Sequence, residues 1–172
     1  MKKIILIFLF LTSSISSVLA CDVKIIPFGS GKEKININPL PLSFPNQFDS
    51  ETVIVPISDI CKNDKDLFGT NVNFLFIKNK LTQISLFRPS FKDAKLMDYA
   101  MKRYGEFSIP AGIKKENFKG NYTWKKVNEN IHYINTDIEG TNAEILEINN
   151  DLYLTELQNY NEKIGQWLDS QK

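Results

Sequence analysis

The chain has 172 residues, 12% of them aromatic, and a formal net charge of +1. That length is enough for one domain with a proper core, and the sequence holds no low-complexity tract and no internal repeat. A near-neutral balance gives no global pull toward nucleic acid or a strongly acidic substrate.

The first element is M-K-K followed by the apolar run Ile4 to Leu11 and a serine-diluted stretch ending at Ala20. Two lysines, a short apolar run and a small residue before a cut site read as a secretory signal peptide over residues 1–20. The run is too short for the roughly 20 apolar residues of a spanning helix. Residues 21–172 then form the exported domain, in the periplasm or outside the cell, with a membrane-anchored lipoprotein as the alternative.

Cleavage after Ala20 would make Cys21 the first mature residue, and Cys61 is the other cysteine. In an oxidising compartment the two read as one disulfide. Closing a loop of about 40 residues is worth about 4 kcal/mol on the chain-entropy model. A lipid anchor on Cys21 and two free thiols are the alternatives; against the anchor, Leu19 is bulky where lipoprotein signals favour a small residue, and D-V-K-I-I looks like a strand rather than a tether.

A turn is expected at Gly29–Gly31, then a short strand at I-N-I-N and an extended edge or loop where Pro39, Pro41 and Pro45 remove backbone donors. T-V-I-V-P-I (52–57) reads as a strand. Two apolar runs around Lys78-Asn79-Lys80 read as a β-hairpin over 71–87. Pro89 ends it. Ser90 with Asp93 reads as a helix start, and Ala94, Met97, Met101 and Tyr104 form a core-facing stripe stopped by Gly105.

A loop over 106–120 leads to three strands around Y-T-W-K-K-V, I-H-Y-I-N-T-D-I and A-E-I-L-E-I, a meander. A last helix starts at Asn150 or Asp151 with Tyr153, Leu157, Tyr160, Ile164 and Trp167 on one stripe. The order predicts a single α+β domain with a largely antiparallel sheet.

Charge is unevenly laid out. Residues 78–126 carry a net +8 and residues 127–172 a net −7. The two segments are expected to face each other, the alternative being a basic face for an anionic partner.

No motif carries an obvious reaction. G-S-G-K at 29–32 lacks the first glycine and the hydroxyl of a phosphate-binding loop, because Ile26 and Glu33 stand in those places. His132 is the one histidine, too few for a zinc hydrolase pattern, and is expected as a strand residue. Glu144 and Glu147 are three apart on a strand and should point to opposite faces. Asn121-Tyr-Thr is a formal glycosylation sequon, expected to be unused behind a bacterial-looking signal. No catalytic residue, metal site or cofactor is assigned.

Lys114, Lys115, Lys119, Lys125 and Lys126 bracket Tyr122 and Trp124; the five lysines and Trp124 are the candidate ligand-binding set, the other reading being that Trp124 is core with the lysines on the solvent face. The expectation leans away from an enzyme. It is an exported cell-envelope binding or structural module for a protein, a cell-wall component or an anionic lipid surface, and not for nucleic acid. The alternatives are a small exported hydrolase using carboxylates that spacing does not identify, and an inhibitor of an exported enzyme inserting its 106–120 loop.

Overall fold

A computed structural model of the chain describes residues 21–38, 41–89 and 93–172. The signal peptide read over residues 1–20, Pro39 and Ser90 lie outside the described residues.

Alternating apolar residues build seven strands: β1 (Leu42–Asn46), β2 (Ser50–Pro56), β3 (Asn71–Ile77), β4 (Lys80–Pro89), β5 (Gly120–Lys126), β6 (Glu129–Ile138) and β7 (Thr141–Asn150). They form one sheet in the order β1-β2-β3-β4-β7-β6-β5, with every neighbouring pair antiparallel. Two meanders are thus joined through β4 and β7, where Ile84 faces Ile148, Leu86 faces Leu146 and Arg88 faces Glu144. The α+β antiparallel architecture expected from the element order is the one observed.

The 71–87 hairpin forms as the residue pattern predicts. Lys78 and Asn79 both take positive φ, +51° and +57°, the combination a two-residue hairpin turn demands. A register shift at Leu75/Phe76 lets both Leu81 and Thr82 bury. The proline-rich stretch supplies β1, an edge strand, where Pro45 leaves no interior ladder bond unmade.

One sheet face carries the core. Val53, Phe74, Ile84, Leu86, Tyr133 and Leu146 are buried there. Helix α2 (Lys95–Tyr104; a four-residue α1, Ile57–Ile60, precedes it) closes this face with Leu96, Met97, Ala100, Met101 and Tyr104. Gly105 ends α2 at φ +117°, a conformation a side chain would strain. Helix α3 (Leu154–Asp169) follows a 3-10 turn at Asp151–Tyr153 and lies against β3 and β4. Its Leu157 is buried outside the main core, whereas Trp167 and Leu168 stay exposed.

Three local expectations are corrected. Residues 22–26 and 35–38 form no strands. Val23 and Ile26 act instead as single plugs in the core, and Ile35 and Ile37 pack against its margin. Helix α2 begins at Lys95, five residues later than Ser90, and its N-cap residue Ala94 supplies no side-chain cap. Asp93 is bound to Arg88 and also accepts from the Lys95 backbone, and the Leu96 and Met97 N–H groups are satisfied from β7.

The Cys21–Cys61 disulfide is present, with Cα atoms 5.7 Å apart, inside the ordinary range. The Tyr99 hydroxyl donates to the Cys21 carbonyl at 2.9 Å, and Arg103 pairs with Asp22 at 2.8 Å. Residue 21 is therefore fastened to α2 as well as to Cys61. Ion pairs Lys78–Glu156, Arg88–Glu144 and Lys119–Asp137 join the basic and acidic segments.

Candidate functional site

Glu144 and Glu147 do leave β7 on opposite faces, as strand alternation requires. Glu144 enters the core. Its carboxylate accepts the N–H groups of Leu96 (3.3 Å) and Met97 (3.0 Å), the Tyr133 hydroxyl at 2.9 Å and Arg88 Nη1 at 3.3 Å. Arg88 also binds Asp93. Burial pushes the Arg88 guanidinium down, but the hydrogen bond to Asp93 and the charges of Asp93 and Glu144 hold it above its ordinary value. Burial and the Glu144 charge hold the Tyr133 hydroxyl well above its own. An acidic cap on the first turn of α2 opposes the helix dipole's positive end. The cluster is closed by its own bonds, and none of the clefts described below reaches it.

Glu147 stands on the other sheet face, opposite His132, which in turn stands opposite Thr123. The Thr123 hydroxyl and His132 Nδ1 are 2.8 Å apart. Burial holds the Glu147 carboxyl above its ordinary value, and the nearby imidazole pulls it partly back. Ser85 and Asn73 continue this row across β4 and β3. Hydroxyl, imidazole and carboxylate fall in line here, on a sheet surface with no described cleft over it.

The six residues of the sequence-derived binding set are not brought together. Trp124 is buried, and its indole N–H donates to the Gly105 carbonyl at 2.8 Å. Tyr122 lies 4.8 Å from Trp124 and stacks on Phe107 at 4.5 Å, so this aromatic group clamps the root of the 106–120 loop. Lys115 pairs with Asp98 and Lys119 with Asp137. Lys114 is exposed near the loop apex, where Gly112 takes φ +84°. Lys125 and Lys126 sit at the far end of β5, about 20 Å from Lys119 by strand rise.

That far end holds what the sequence reading missed. The β1–β2, β3–β4 and β5–β6 turns and the β7–α3 junction all emerge there. Val127, at the β5–β6 turn, is 88% exposed, and Leu152, just after β7, is 82% exposed. Their backbones meet there: the Asp151 N–H donates to the Asn128 carbonyl at 3.0 Å, joining the residue after Val127 to the one before Leu152. Leu152 also forms a shared wall between two clefts. One, of about 460 Å³, is lined by Ile26, Pro27, Phe28 and Tyr153; the other, of about 350 Å³, by Phe48, Ile77 and Tyr160.

The segment beneath is rigidly placed. Gly29 lies so near the Tyr153 hydroxyl that a Cβ would collide with it, and the Gly29 N–H donates to the Leu81 carbonyl at 2.9 Å. A third cleft, about 710 Å³ and charged, lies beside the disulfide between Asp22, Lys62, Asp64 and Lys102. The signal for the Val127 site was visible as K-K-V-N in a turn, where an apolar β-branched residue has no folding role. Its exposure was not. No family model, curated protein or solved structure was found to match the chain.

Proposed function

We propose that this chain is an exported, non-catalytic binding module of the cell envelope, and that it binds through the sheet end carrying Val127 and Leu152. The observation that carries the reading is the exposure of these two side chains. Large apolar groups on turn tips gain nothing from folding, and their release from water on contact with a partner is favourable.

Two further features support it. A disulfide that ties residue 21 to the core suits an oxidising compartment, which agrees with the leader read at residues 1–20. The buried ionisable cluster around Glu144 is occupied in holding α2, which leaves the surface clefts rather than a buried polar pocket for a partner.

The test uses washed cell envelopes and the purified exported protein. Saturable uptake is expected, with a Val127→Asp/Leu152→Asp variant taken up far less at unchanged thermal stability. Equal uptake of both proteins, or none of either, sinks the reading. Intact mass accompanies it: a gain of about 2 Da on reduction fits the bridged cysteines, and an acyl-chain mass excess contradicts them.

A further inference from the structure

Resting on that reading, we infer that the partner at this end is the surface of an anionic lipid bilayer, engaged by Val127 and Leu152 as apolar wedges with Lys125 and Lys126 beside them. Strand alternation sends the two lysines to opposite faces of the β5–β6 hairpin, with Val127 at the apex between them. Both lysines are exposed and have no hydrogen bond or ion pair among the described residues.

Two of the acids nearby are neutralised by ion pairs, and a third is hydrogen-bonded. Glu129 is held by Lys24 at 2.9 Å, Glu156 by Lys78 at 3.2 Å, and Asp151 accepts from the Asn130 amide at 2.5 Å. With those two ion pairs closed, Lys125 and Lys126 outweigh Asp151, whose amide partner leaves its charge in place, so the local balance is about +1 beside an apolar tip. A bilayer interface is complementary to that arrangement. Headgroup phosphates meet the lysines while the tip enters the acyl boundary.

A protein partner would be expected to use the clefts on either side of Leu152. The protrusions matter more here, because Val127 at the hairpin apex is 88% exposed and lines neither cleft. The tip is also rigid. The Asp151 N–H holds the turn to the β7 end, and the Leu152 N–H is held by the Asn150 side chain at 3.0 Å. Insertion would order few new groups, so little of the gain is lost to entropy.

The experiment is sedimentation of the purified exported protein with phosphatidylethanolamine vesicles, with and without phosphatidylglycerol. Binding is expected only with phosphatidylglycerol present, and it should weaken as salt rises. Lys125→Gln/Lys126→Gln should weaken it about 25-fold, about fivefold per lysine. Val127→Asp should weaken it about tenfold.

Failure to bind either vesicle overturns the inference, as does equal binding to both, or binding that these substitutions leave intact. The envelope-uptake assay separates the two levels. Uptake by envelopes without vesicle binding overturns the lipid assignment and leaves the binding module standing; loss of both removes both.

Discussion

The Glu144 carboxylate on β7 accepts the Met97 N–H at 3.0 Å, so the first turn of α2 is capped from the sheet. The same carboxylate faces Arg88, and both side chains are 5% exposed. Removing it takes one carboxylate from a buried guanidinium and leaves the Leu96 and Met97 N–H groups without that acceptor. Glu144→Ala should cost about 3–5 kcal/mol. Glu144→Gln, which keeps an acceptor oxygen, should cost less. Urea denaturation of the three proteins measures the order; equal midpoints for wild type and Glu144→Ala would falsify the capping role.

The Cys21–Cys61 bridge closes a loop with a sequence separation of 40. That segment contains β1, an exposed edge, and little regular structure before it. A Cys21→Ser/Cys61→Ser variant should lose about 4 kcal/mol. Reductant should lower the midpoint of the wild type and leave the variant unmoved. A wild type indifferent to reductant contradicts the bridge.

Glu147 supplies a pH dependence of opposite sense to ordinary acid unfolding. Burial holds its carboxyl above the ordinary 4.5. A carboxyl whose folded pKa lies above its unfolded value binds its proton more tightly in the native state. It therefore favours folding at low pH, and that contribution is lost as pH rises from about its unfolded value through its folded one. Glu147→Gln should be more stable than wild type at neutral pH, with the difference closing as the medium is acidified below 4.5. A variant less stable than wild type at pH 7 contradicts this.

What could be read in advance was local. Period-2 alternation in N-V-N-F-L-F-I and I-H-Y-I-N-T-D-I placed the hairpin and meander, and 3.6-residue spacing placed Met97, Met101 and Tyr104 in the core. The pairing of β4 with β7 was out of reach, because it joins residues some 60 apart, such as Ile84 and Ile148, with no local signal. Glu144 shows the same limit. Its face followed from alternation, but its partners Leu96 and Met97 lie on another element.

Residues 22–26 misled for a different reason. Val23 and Ile26 have strand-forming side chains, yet the segment is pinned by Cys61, Tyr99 and Arg103 and contributes plugs, not a ladder. Lysines clustered in sequence at 114–126 were separated because an extended strand carries its two ends far apart. A cluster in sequence becomes a cluster in space on a helix or a tight turn, not along seven residues of β5.

That separation makes the two lysine groups independently testable. Lys114→Gln/Lys119→Gln changes as much charge as Lys125→Gln/Lys126→Gln, but at the loop and the opposite end of β5. Lys119 also holds Asp137 at 2.7 Å in an exposed pair, worth about 0–1 kcal/mol at most. Envelope uptake should therefore fall for the 125/126 variant and stay near wild type for the 114/119 variant, with both melting close to wild type. If the two variants lose uptake equally, net charge alone governs binding. If only the 114/119 variant loses it, the contact surface lies along the 106–120 loop, and the assignment to Val127 and Leu152 fails.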